Sequence, residues 1–255
     1  MILLFAAALA AQAAPNAAAQ AAPSAAPCPT VLTQAAQSCR AVEASKAGRF
    51  AEAATAFESA ADLTPAGDPA KDRSLAAAGN MWIAAGQPGK AALALDKALA
   101  GTGLQADQHG LALLDRARAA EAQDDLKTAR AKITEATKTI SEDPYLWFFS
   151  AALAVREEDI PTAKVAINRA LAMAPDSAEV MFEAGHIAEA AGENAQARDY
   201  WSKALKADPN GPAGKAAREA LAMSDAPLTV TNQVATQPDG DGEGQDRNPE
   251  EPQPN

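Results

Sequence analysis

Apolar positions along the chain fall on a repeating spacing. Pro175 and Pro209 stand 34 residues apart, and the residues ahead of each agree in register. Ahead of Pro209 run Met181, Ala184-Gly185, Ala188, Gly192, Ala197, Trp201 and Ala204-Leu205. Ahead of Pro175 run Trp147, Ser150-Ala151, Ala154, Ala163, Ile167 and Ala170-Leu171. A third set further back is Leu113, Ala117, Ala120, Ala129, Ile133 and Ala136, and a second is Leu75, Ala78-Gly79, Trp82, Gly86, Ala91, Leu95 and Ala98-Leu99. The first is Ala41, Ala44, Gly48, Phe50, Ala53, Phe57, Ala60 and Pro65. Such a period predicts five antiparallel helix pairs, none of which buries its apolar face without a stacked neighbour. Extra residues separate the first three sets, and Ser141 stands where the third set should have proline.

Side-chain size within the period predicts how the helices meet. Gly79, Ala117, Ala151 and Gly185 occupy the closest crossing inside a pair, with Ala53, Ala91, Ala129, Ala163 and Ala197 facing it from the second helix. Trp147, Trp201, Phe57 and Leu95 are the knobs that fill the spaces between helices. Enlarging a small position should overpack the crossing at roughly 1–3 kcal/mol. Pro88 and Pro161 fall in the first turn of second helices, where a missing N–H is harmless.

A large apolar residue, a small one soon after, alanines and an aromatic in a second helix, then proline: this pattern resembles the tetratricopeptide repeat (TPR) family. The resemblance spans about residues 34–211 in five units, followed by a capping helix over 212–223. It implies an all-α solenoid whose first helices line a concave groove, a surface that many members use to grip an extended peptide or a partner helix. Residues at i, i+3, i+7 and i+11 trace one helical face. That face is Arg73, Ala76, Asn80 and Ala84 in the second unit and Leu111, Leu114, Arg118 and Ala122 in the third. The fourth offers Tyr145, Phe148, Ala152 and Arg156, and the fifth Glu179, Phe182, His186 and Ala190. The implied partner-binding residues are Phe148, Phe182, Leu114 and Tyr145 as an apolar patch, edged by Arg118, Arg156 and His186, with Asn80 as a weaker candidate. Aromatic anchors flanked by arginines suit such a role. Packing between units is the competing role for Phe148 and Phe182, and the favoured one for Trp147. The two-lysine, two-asparagine clamp that some members use for a C-terminal carboxylate is not matched.

Composition agrees with helices that pack closely. The chain has 255 residues and 70 alanines, so alanine supplies more than half of the 48% counted as hydrophobic. Alanine is the strongest helix former but buries little surface. Aromatics are only 4%, which disfavours a β-sandwich or barrel. Fourteen of the alanines precede Cys28 and contribute nothing to a core. The net charge is −11, and no basic stripe exists, so nucleic acid and anionic lipid are not expected partners. Residues 224–255 read as an acidic disordered tail; Asp239-Gly240-Asp241-Gly242-Glu243 lacks the spacing and bidentate Glu of a calcium loop.

Residues 1–13, MILLFAAALAAQA, form a short apolar run ending in small residues at alternate positions. The run is too short to cross a bilayer and reads as a signal peptide, although no Lys or Arg precedes it. A buried N-terminal helix is the other reading. Residues 14–33 read as an Ala/Pro-rich spacer. Cys28 and Cys39 are the only cysteines, and in an oxidising envelope they are candidates for one disulfide.

No catalytic constellation is evident. His109 and His186 are the only histidines, no ligand cluster of metal-site spacing accompanies them, and no nucleophile elbow or phosphate loop occurs. Asp124-Asp125 and Glu157-Glu158-Asp159 fall at turns between helices and read as solvated helix starts. The expectation is therefore a non-catalytic adaptor of the bacterial envelope, periplasmic or secreted, without cofactor or metal, binding a protein or peptide. A self-associating scaffold is the alternative, and a catalytic or metal-dependent subunit the alternative of another class.

Overall fold

The computed structural model describes residues 28–225, and those residues form eleven helices and no strand. The expected signal peptide, most of the spacer and the acidic tail lie outside the described residues. The helices pair as α1 (Gln34–Lys46) with α2 (Phe50–Asp62) and α3 (Pro69–Ala84) with α4 (Pro88–Ala100). Then come α5 (Ala106–Glu121) with α6 (Leu126–Ala136), α7 (Pro144–Arg156) with α8 (Ile160–Met173), and α9 (Ala178–Ala190) with α10 (Asn194–Ala207). The last is α11 (Pro212–Asp225). Each second helix packs on the first helix of the next pair as well as on its own partner, and α3 touches α5 as α7 touches α9. This layering is an α-solenoid.

The turn inside each pair repeats to the atom. Gly48, Gly86, Asp124, Glu158 and Gly192 all have positive φ, between 59° and 78°. The following amide reaches back five residues in every case: Arg49 to the Ala44 carbonyl, Gln87 to Trp82, Asp125 to Ala120, Asp159 to Ala154 and Glu193 to Ala188, at 2.8–3.0 Å. These bonds satisfy carbonyls that the helix end would otherwise orphan. The left-handed residues are 38, 38, 34 and 34 positions apart, which places the extra residues in the first two joints. Asp124 and Glu158 hold a conformation that costs a side-chain-bearing residue roughly 1–2 kcal/mol. Glu158 is exposed. Glu158→Gly should therefore stabilise the fold by about 0.5–1 kcal/mol after the added chain entropy of glycine. Urea melts followed by circular dichroism check this, and a destabilised variant would contradict it.

The helix starts explain why the acidic pairs sit at the turns. Asp125 accepts the Thr128 amide at 3.0 Å and Asp159 the Thr162 amide at 3.0 Å, both as N-caps of second helices. These bonds hold both carboxyls below the usual range. Thr33, Asp68, Asp143 and Ser177 cap first helices in the same way.

The core runs along the array as successive small clusters. Gly79 faces Leu95, and a Cβ there would lie 2.4 Å from the leucine Cγ; at Gly185 it would lie 2.2 Å from Trp201 Nε1. Leu95 and Trp201 are fully buried knobs, whereas Phe57 and Trp147 pack from part-buried positions. The joint after α6 has no proline; Ile140 is buried in it, and the Ser141 carbonyl accepts the Trp147 indole N–H at 2.6 Å. Cys28 and Cys39 are joined in a disulfide with Cα atoms 5.7 Å apart. Together with the Arg40 guanidinium, which donates to the Val31 carbonyl at 2.9 Å, the bond lays residues 28–33 back along α1.

Candidate functional site

The first helices of the first three pairs enclose a cleft of about 540 Å³. Alanines make it: Ala76 and Ala77 on α3 and Ala112 on α5 give a floor with no large side chain standing on it. Val42 on α1 and Leu111 on α5 line the cleft and stay 43% and 46% exposed. Met81, Phe57 and Leu104 complete the apolar lining. Lys46 and Arg73 also line it, both exposed.

A polar chain runs from this cleft across three first helices. Asn80 donates to Asp115 Oδ2 at 2.8 Å, and Arg118 pairs with Asp115 Oδ1 at 2.8 Å. Burial pushes the Asp115 carboxyl above the ordinary carboxylate range, against the opposing pull of Arg118 and Asn80. The Arg118 guanidinium lies 5.7 Å from the Tyr145 ring centroid, and Tyr145 stacks on Phe148 at 5.8 Å. Burial raises the Tyr145 phenol in spite of Arg118. Tyr145 and Phe148 line a smaller pocket of about 130 Å³ between α7 and α9, with Val180 and Ser177 opposite.

The residues expected at the site therefore divide. Asn80, Arg118, Tyr145 and Phe148 come together as that continuous chain. Leu114 does not join them: it is 3% exposed and belongs to the core with Leu113 and Ile133, whereas Leu111 on the same expected face stays exposed. Arg156 is committed within the array, donating to the Glu121 carbonyl at 3.0 Å, to the Glu121 carboxylate, and to Asp124 at 2.7 Å. A cation there neutralises the C-terminal end of α5. Phe182 meets His186 edge-on at 4.5 Å, and His186 meets Trp201 at 5.5 Å, so this pair leans into the core. Burial lowers the His186 pKa, against the opposing pull of Glu189 at 3.9 Å. Sequence reasoning missed Val42, Lys46, Met81 and Leu104. The stripe Cys39, Val42, Lys46 on α1 was the available signal.

Among the described residues, the group of ligand-type atoms near enough to share an ion is Cys28, Cys39 and Glu43, and there the two sulfurs are already bonded to each other. No helix among them is long and apolar enough to cross a membrane.

No family model and no curated protein matches the sequence. Solved structures do match. The chain is similar to the MamA protein at 17% identity and a TM-score of 0.56, over 69% of this chain and 92% of that one. It is similar to YrrB, described as a TPR protein with an unusual peptide-binding site, at 17% identity and a TM-score of 0.54, over 72% of this chain and 90% of that one. A thermophilic TPR protein of Thermus thermophilus, TTC0263, matches at 19% identity and a TM-score of 0.54, over 75% of this chain and 98% of that one. Identities at this level speak to the fold, and the fold agrees with the repeat read from the residues. The chain is an all-α solenoid with the fold of the tetratricopeptide repeat proteins.

Proposed function

We propose that the chain is an exported, non-catalytic adaptor of the bacterial envelope that holds a protein or peptide against its first helices. The observation that carries this reading is the alanine-floored cleft, lined by Val42 of α1 and Leu111 of α5, both exposed. Apolar surface presented inside a concavity is favourable to cover, at roughly 25 cal/mol per Å². YrrB, a solenoid of the same kind, is described by its peptide-binding site, which supports the same use of this surface. The apolar run at residues 1–13 and the Cys28–Cys39 disulfide support an oxidising compartment.

Two measurements test the reading. Cell fractionation with N-terminal sequencing should find a processed chain in the envelope fraction; an unprocessed chain in the cytoplasm would refute export. Crosslinking and pull-down from the periplasm should recover a partner with the wild type and less of it with Phe148→Ala, Ala76→Trp or both. Phe148→Ala is used and not Phe182→Ala, because Phe182 packs on His186 and its loss would also disturb the contact with Trp201 on α10.

A further inference from the structure

The N-terminal end of the array carries a side-chain cluster that the cleft does not use. The strap of residues 28–33 brings Cys28 to Cys39, eleven positions further along the sequence. Cys39 and Glu43 stand four positions apart on α1, which places them on one face, a turn from each other. The two sulfurs and a carboxylate oxygen of Glu43 all lie within 4.8 Å of one another. Both cysteines are part-buried and Glu43 is exposed, so the cluster opens to solvent on the carboxylate side. Hydrogen bonds hold the strap to α1 independently of the disulfide. The Arg40 guanidinium donates to the Val31 carbonyl at 2.9 Å and to the Ala36 carbonyl at 3.3 Å. The Thr33 hydroxyl accepts the Ala36 amide at 3.3 Å. Val31 and Leu32 are 57% and 69% exposed, so a small shift of the strap breaks little apolar contact.

We infer that, once the disulfide is reduced, Cys28, Cys39 and Glu43 form a binding site for a zinc-class divalent cation. A dithiol reductant supplies two electrons and two protons, leaves two thiols on the chain and itself becomes a disulfide. Binding of the cation then releases both thiol protons to solvent, because the ligand is thiolate. Zinc takes thiolate at about 2.3 Å and carboxylate at about 2.0–2.2 Å in a tetrahedron, so neighbouring ligand atoms stand about 3.5–3.8 Å apart. The freed sulfurs therefore separate by roughly 2 Å, and the carboxylate closes by roughly 1 Å. The exposed Glu43 side chain and the loosely packed strap allow both movements. Water takes the fourth position. Two thiolates and a carboxylate around a divalent cation leave one negative charge, and Arg40 is the cation at the same junction. The oxidised and metal-bound forms exclude each other, and either one fastens the strap to α1. A separation of eleven lies outside the short cysteine spacings of structural zinc sites, so the cluster arises from the path of the strap.

Cobalt(II) is the probe, because thiolate ligation gives it an intense near-ultraviolet charge-transfer band. The full chain, reduced with a phosphine that is then removed under argon, should develop this band and saturate at one ion per chain. Zinc(II) should displace the cobalt and bleach the band. The oxidised chain should give no band, and neither should Cys28→Ser under the same conditions. Glu43→Gln should bind cobalt at least tenfold more weakly and still show the band at saturation, since both thiolates remain. Glu43 is exposed, so this variant should keep the helicity of the wild type in circular dichroism. Zinc should also protect both thiols of the reduced wild type from iodoacetamide, read by mass spectrometry. A reduced chain without the band would overturn the inference, as would equal affinity in Glu43→Gln or an undiminished band in Cys28→Ser. One ion per two chains, with a doubled mass in solution, would mean a metal shared between chains and would overturn it too. So would a loss of helix on reduction that zinc does not restore. None of these results bears on the adaptor reading, which rests on the cleft.

Discussion

Trp201→Ala is expected to cost about 3–5 kcal/mol, the largest stability loss of any single truncation in the C-terminal half. Trp201 is 1% exposed and packs with Met181, Ala188, Ala197 and Ala204 in the cluster that joins α9, α10 and α11. The surrounding side chains are mostly alanines, which cannot extend to fill the space that an indole leaves. Gly185 opposite is backbone and is equally unable to compensate. The indole Nε1 has no hydrogen-bond partner among the described residues, so its role is volume. Trp201→Phe should therefore cost far less than Trp201→Ala, since it keeps most of the volume and removes an unanswered polar group. Because a solenoid is stabilised by nearest neighbours, the loss should concentrate in α9–α11, with α1–α4 retaining their protection. Hydrogen exchange resolved by peptide measures this. A loss below about 1 kcal/mol, or one spread evenly over all pairs, would contradict the account.

Glu183→Gln is expected to have the second-largest effect and the opposite sign, with a pH dependence that identifies its cause. Glu183 sits half-buried on α9 with no hydrogen-bond or ion-pair partner among the described residues, and burial raises its carboxyl to about 7. A folded-state pKa above the unfolded value means that the folded chain binds the proton more tightly. Its contribution is fully favourable below about 4.5 and is lost as the pH rises to about 7. At pH 8 the penalty is on the order of 2 kcal/mol once partial solvent access is allowed for. The glutamine variant should therefore be more stable than wild type at pH 8 and nearly equal to it at pH 4. Burial also lowers the pKa of His186, one turn along, which disfavours a cation there that could answer the charge. Urea melts at both pH values decide the matter. Equal stabilisation at both would point to packing instead of ionisation.

The architecture was legible because the residues that enforce it are local or periodic. Gly79 and Gly185 could be recognised as crossings from spacing, since only a residue without a Cβ allows Leu95 and Trp201 to approach that closely. The intra-pair turns were legible where glycine marked them, at Gly48, Gly86 and Gly192. Asp124 and Glu158 hide the same turn behind side chains, although the backbone bonds are the same. The site was less legible, because a helical stripe fixes a face only to within about one residue. Leu111 and Leu114 lie on the same stripe, yet Leu114 is buried in the core among α6 and α7 residues and Leu111 is exposed. Arg156 looked like a free flanking charge until the end of α5 came within its reach.

What the sequence by itself determined is the repeat, its five units and the small residues at each crossing, because periodic sterics act between residues a fixed number of positions apart. Only the tertiary structure decided where the surface opens. A cleft needs large side chains to be absent from two helices at once, and that coincidence at Ala76, Ala77 and Ala112 joins residues from separate repeats. The same holds for charge: Arg118 and Arg156 are alike in the sequence, and their partners, Asp115 in one case and a helix end in the other, appear only when the units stack.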